Sequence, residues 1–179
     1  GQEWSIEKLL EIECEHELGN SPCGGSHRLV GITLALNRHL AQGGQLEGAW
    51  KQADDHVRNA VAKAKRFQNP DGSFSTNYFG RPGKSADLQQ SLSTTGHTLE
   101  FVVLASGEEQ VREPWVRKAV VYLCDVFRRT KDVDLECGGL YHSASGLVLY
   151  RERLFGPRKF GPPALEPPQT AASQDQEAG

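Results

Sequence analysis

His27-Arg-Leu-Val-Gly-Ile-Thr-Leu34, His97-Thr-Leu-Glu-Phe-Val-Val-Leu104 and His142-Ser-Ala-Ser-Gly-Leu-Val-Leu149 can be laid over one another without a gap. Each begins with histidine, has Gly or Phe at +4, an aliphatic at +5, Thr or Val at +6, and Leu at +7. Stretches this apolar, without a polar side, read as helices covered on most sides. Glycine-bearing approaches precede them, Cys23-Gly-Gly-Ser, Thr94-Thr-Gly and Cys137-Gly-Gly-Leu-Tyr. These approaches predict a turn that leads each histidine to the mouth of its helix.

Between them lie segments of the opposite character. In Leu46–Gln68, Trp50, Ala53, Val57, Ala60, Val61, Ala64 and Phe67 keep helical spacing, and Lys51, Asp54, Asp55, Arg58, Lys63 and Lys65 take the other side. Pro114–Thr130 repeats the pattern through Val116, Ala119, Val120, Leu123, Val126 and Phe127, with Pro114 suited to a first helical position. Trp4–Leu18 is a weaker example. The order one-sided, covered, one-sided, covered predicts about three helical hairpins of outer and inner helices, because no single pair buries its own apolar face. The expected class is all-α, as an α/α toroid seen in part, over residues 1–155. Residues 156–179 hold five of the nine prolines and should form a disordered tail.

Composition narrows the function. A net charge of −3 gives no basic surplus for a phosphate backbone, so no nucleic-acid partner is expected. No apolar run reaches the roughly 18–20 residues of a membrane span. The sequence contains no methionine and starts at Gly1, and we read it as a processed product or a piece of a longer chain. A targeting segment would then have been lost, so compartment stays open. The four cysteines, Cys14, Cys23, Cys124 and Cys137, form no C-x-x-C and read as free thiols.

Phe67-Gln-Asn-Pro-Asp-Gly-Ser-Phe74 resembles the Q-x(2–5)-G-x-W/F turn that closes outer helices in squalene and hopene cyclases, protein prenyltransferase β subunits and complement-type thioester domains. Tyr141-His-Ser-Ala-Ser-Gly-Leu147 is similar to the prenyltransferase segment carrying the zinc histidine. The resemblance implies an α/α toroid over Trp4–Phe155, with a central cavity for an apolar ligand. The sequence has no Asp-x-Asp-Asp, no Gly-Cys-Gly-Glu-Gln, and no Asp-x-Cys well upstream of His142. The reaction is therefore not identified by the resemblance. A non-catalytic helical module that binds a protein or glycan is the alternative.

Equivalent positions in stacked hairpins put His27, His97 and His142 at similar height. With Cys137, or with Cys23, they form a candidate zinc set. The structural alternative is that each histidine ties its glycine turn to its helix. His97 and Glu100 are one helical turn apart, and with His142 they are the candidate catalytic groups. The alternative for Glu100 is an ion pair with Arg28 or Arg151. Asp54-Asp55 and the run of Glu11, Glu13, Glu15 and Glu17 read as solvated surface. Tyr141 and Tyr150 either line a cavity or pack. Cys23 and Cys137, each before Gly-Gly at an expected helix N-terminus, are the candidate reactive thiols.

Overall fold

The structure, a computed structural model, describes residues 3–157. It is all-helical there, with no strand among the described residues. Helices α1 (Ile6–Glu15), α2 (Ser26–Ala41), α3 (Gly48–Arg66), α4 (Leu88–Ala105), α5 (Glu108–Val111), α6 (Pro114–Arg129) and α7 (Cys137–Phe155) follow in order, with two short 3₁₀ turns before α2. The tail expectation falls, from residue 158 on, outside the described residues.

Local chemistry accounts for the boundaries. Ser5 caps α1 by accepting from the Lys8 N–H, and Asp87 caps α4 by accepting from the Gln89 and Gln90 N–H groups. Pro114 opens α6, where its missing N–H costs nothing, and Gly156 ends α7 at φ 75°. The stripe Ala53, Val57, Ala60, Val61 and Ala64 is the buried side of α3, and Val116, Ala119, Leu123 and Val126 that of α6.

Helices α2, α4 and α7 lie side by side and parallel. His27 meets His97, while Asn37 Nδ2 donates to the Leu104 carbonyl 3.1 Å away. Ser143 Oγ donates to the Leu92 carbonyl, and Arg153 donates to the Ser106 carbonyl. In both pairs the residue numbers ascend together. Helix α1 runs against α2, since Glu13 pairs with Arg28 and Glu7 shares a pocket with Arg38.

Among the described helices only α4 is covered all round, from Ser91 onward. Phe101, Val102 and Val103 are consecutive and all fully buried, each contributing about 1.5–3 kcal/mol. The expectation of equal burial for the three His-to-Leu stretches needs correction, because Leu34 on α2 and Val148 on α7 are each 53% exposed. The reason is position: α4 has α2 on one side and α7 on the other, whereas each of these keeps one open side.

Helices α4 and α7 pack closely along their length, and small residues make the contact. A Cβ on Gly96 would stand 2.6 Å from the Ser143 nitrogen, and one on Gly146 would stand 3.1 Å from the Glu100 nitrogen. These glycines are therefore helix-interior contact points. The expected turns at Thr94-Thr-Gly and Cys137-Gly-Gly are both helical, since α4 begins at Leu88 and α7 at Cys137. His97 accordingly sits in mid-helix and His142 in the second turn; His27 alone is in a first turn, two residues after Gly25 at φ 79°.

The Gln68–Phe74 turn couples α3 to α6. Gln68 Nε2 donates to the Gly72 carbonyl (3.0 Å) and to the Trp115 carbonyl (2.9 Å). Gly72 has φ 97°, and a Cβ there would strike the Lys118 carbonyl, so no other residue fits without movement. Phe74, 1% exposed, packs edge-on against Trp115.

Candidate metal centre

The helices bring the three histidines together at one end of the α2–α4–α7 layer. The His97 and His142 rings stack with centroids 3.7 Å apart, and His27 stands 5.0 and 5.1 Å from them. This convergence follows from the seam just described. Without Gly96 and Gly146 the α4 and α7 axes would separate, and with them the rings.

The fourth member is Cys23. One donor atom each from Cys23, His27 and His97 lies within 4.8 Å of the other two. A tetrahedral zinc site with bonds of about 2.05 Å to nitrogen and about 2.3 Å to sulfur has donor–donor edges of roughly 3.3–3.6 Å. Closing such a shell asks for side-chain movement of at most about 1.5 Å by that geometry. Cys23 and His27 are four residues apart across the start of α2, a spacing that would have singled out this pair in the sequence. Cys137, the thiol expected in the set, is solvent-exposed at the start of α7 and outside this group.

Hydrogen bonds fix the rings. His97 Nδ1 is 2.7 Å from the Ser93 carbonyl oxygen, an acceptor only, so Nδ1 carries the proton and Nε2 the lone pair. His142 Nδ1 is 2.7 Å from Glu100 Oε2, and Ser145 Oγ donates to Glu100 Oε1 at 2.6 Å. Neither arginine considered as a partner for Glu100 reaches it: Arg28 pairs with Glu13, and Arg151 donates to the Gly156 carbonyl. Burial, the largest influence, holds His97 below the usual imidazole range, and His142 and His27 add to this. The neutral ring is the form that ligates metal.

Tyr78 completes the surroundings and had no sequence signal, since it lies in the irregular chain between α3 and α4. Its phenol, beside the Cys23 thiol and Ser93, is pushed up to about 12, chiefly by burial. Cys23 and Tyr78, both at φ 51°, are the two non-glycine residues with positive φ among the described residues. A Cβ on Gly24 would fall against the Tyr78 ring. Two strained backbones in mutual contact beside a histidine cluster are the kind of local cost that surrounding structure sustains at functional sites.

Next to the cluster, an apolar groove of about 360 Å³ runs between α1 and α2. Ile6, Leu9, Leu10, Ile32 and Ala35 line it, and His27 forms part of its wall. Tyr141 is 63% exposed on the outward side of α7, with its ring edge-on to His142.

The chain matches no protein-family model, no curated protein and no solved structure. No described helix is long and apolar enough to cross a membrane.

Proposed function

We propose that this chain is a zinc-binding domain of the α/α-toroid type, with Cys23, His27 and His97 as the protein ligands and an apolar ligand as its partner. The observation that carries the reading is the approach of these three donors to within 4.8 Å of one another. The donor chemistry suits zinc, since thiolate and imidazole together select a borderline-soft ion over magnesium or calcium. The protonated Nδ1 of His97, held by a backbone carbonyl, is the outer-sphere contact that ligating histidines ordinarily make. Three protein donors with a free position are the pattern of catalytic zinc, which supplies Lewis acidity to an oxygen bound there.

The toroid reading draws on the Gln68–Phe74 turn and on three parallel helices with α1 antiparallel to α2 beside them. The apolar-ligand reading draws on the groove that shares His27. A second reading, a non-catalytic module that binds another protein, is favoured by Tyr141, Val148 and Phe155, which stand 63%, 53% and 74% exposed on α7.

Metal analysis of the purified full chain, followed by zinc titration of the metal-free protein, tests the centre. The expected result is one zinc per chain, lost in Cys23→Ser and His97→Ala variants that keep their helical circular dichroism. A folded wild-type chain that neither carries nor takes up zinc sinks the proposal.

A further inference from the structure

The three histidines are linked by contacts whose proton directions can be worked out from one acid. Glu100 is 14% exposed in its side chain, and both its oxygens are engaged, Oε1 by Ser145 Oγ and Oε2 by His142 Nδ1. A carboxylate only accepts, so the His142 Nδ1 carries a proton. When the ring is neutral, and not the imidazolium that would form an ion pair with Glu100, its other nitrogen, Nε2, holds a lone pair. That Nε2 faces His27 Nε2 at 3.4 Å. Two bare lone pairs at that distance repel, so the proton between them belongs to His27. It follows that the His27 Nδ1 is bare. The stacking of His142 on His97, with rings tilted by only 27°, is also a poor geometry for both to aim in-plane lone pairs at one ion. His142 is thereby assigned to the layer behind the ligands.

We propose that Glu100, acting through His142, selects the tautomer of His27, so that the centre is ligated by His27 through Nδ1 and by His97 through Nε2. Glu100 and His142 are positioning residues in this scheme. The inference rests on the zinc reading for its ligand atoms and on the hydrogen-bond chain alone for its tautomers. Three rings thus receive three assigned tautomers from two acceptor-only partners, the Ser93 carbonyl and the Glu100 carboxylate. A relay of this kind makes a preformed site: the lone pairs are already presented when the ion arrives, and no ring has to exchange its proton first.

The test is long-range proton–nitrogen correlation NMR of the metal-free full chain with ¹⁵N-labelled histidine. The expected wild-type pattern is Nδ1–H for His97 and His142 and Nε2–H for His27. Glu100→Ala should return His27 to a mixture of tautomers and weaken zinc binding by roughly 10- to 100-fold, the usual loss for an outer-sphere partner. Glu100→Gln should retain the wild-type pattern, since its amide oxygen still accepts from Nδ1–H. A purely packing role for Glu100 would alter stability in Glu100→Ala without moving the His27 signals. An Nδ1–H form of His27 in the wild-type chain overturns the proposal, and that measurement needs no variant to fold. The proposed tautomers in a chain that takes up no zinc would support the relay and remove the metal reading; bound zinc with the opposite His27 tautomer would do the reverse.

Discussion

The Nδ1 of His142 stands 2.7 Å from Oε2 of Glu100, across the seam where Gly96 of α4 and Gly146 of α7 lie against the partner helix. Neither residue is brought there by charge alone. Gly96 and Gly146 remove the side chains that would hold the helices apart, and Ser143, fully buried, bonds the Leu92 carbonyl across the gap. The polar contact is thus a consequence of small-residue packing. Changes in the seam should therefore be felt both as stability and as geometry at the histidines.

Gly96→Ala separates the two possible effects of a helical glycine. Alanine gains about 1 kcal/mol of helix propensity, but its Cβ would lie 2.6 Å from the Ser143 backbone nitrogen, and overpacking of that kind costs about 1–3 kcal/mol. The clash should win, with a net loss of about 1 kcal/mol or more in urea unfolding. Gly31 on α2 is the control, since no atom outside its own helix lies within 4 Å of its would-be Cβ. Gly31→Ala should stabilise by up to about 1 kcal/mol. Equal midpoints for the two variants would contradict the seam as described.

The one-sided stripes and the one fully covered helix were legible in the sequence because burial imposes their spacing. The stripes of α3 and α6 and the all-apolar Phe101–Val103 fall where periodicity put them. The starts of α4 and α7 were not legible. Glycine in a sequence carries the same letter for a turn and for a helix–helix contact, and Gly96 proved to be the second kind. At the site, the alignment grouped His27, His97 and His142, whose rings do meet, and put Cys137 ahead of Cys23 as the thiol. Helical rise decides otherwise: Cys137 is more than a turn from His142 and faces solvent, while Cys23 sits on a left-handed residue that turns it toward His27 and His97. Tyr78 and Ser145 reach the site through tertiary contacts that no spacing encodes.

Gln68 offers a sharper reading of the α3–α6 turn. Its amide donates to two carbonyls, Gly72 and Trp115, so truncation removes both bonds and should cost about 1–3 kcal/mol. Gln68→Glu should be worse than Gln68→Ala despite its closer shape, because a carboxylate has no proton to donate and meets two carbonyl oxygens. Thermal unfolding of the two variants checks the order. If Gln68→Glu were the more stable of the pair, the proposed donation would be wrong.

Acid should weaken the fold through His97 and His56. Both are held below the ordinary imidazole value of about 6.5, each chiefly by burial; for His56, Lys63 and Arg28 add to it. The unfolded chain then takes up protons first as pH falls, so their contribution is fully present above about pH 6.5 and is lost as pH drops from there toward the lowered folded values. The His56 Nε2 is buried without a hydrogen-bond partner, so His56→Leu leaves no group unpaired. That variant should show a smaller fall in melting temperature between about pH 7.5 and about pH 5.5 than the wild-type chain. An unchanged fall would remove His56 from the account.

Cobalt substitution should distinguish Cys23 from the other thiols. A thiolate bound to Co²⁺ gives an intense near-ultraviolet charge-transfer band that imidazole ligands do not. Cys23 is the only cysteine grouped with His27 and His97 among the described residues, whereas Cys124 and Cys137 are exposed and Cys14, on α1, has a thiol raised by burial. The cobalt-loaded chain should therefore show the band, and Cys137→Ser and Cys124→Ser should keep it. Cys23→Ser should lose it together with the bound ion, because only His27 and His97 of the three grouped donors are then left. The same series read by affinity should rank Cys23→Ser far below Cys137→Ser, since removing a soft donor takes away the preference that sets zinc above harder ions. A band that survives Cys23→Ser and disappears with Cys137→Ser would transfer the thiol ligand to the start of α7 and require that end of the helix to move toward the histidines.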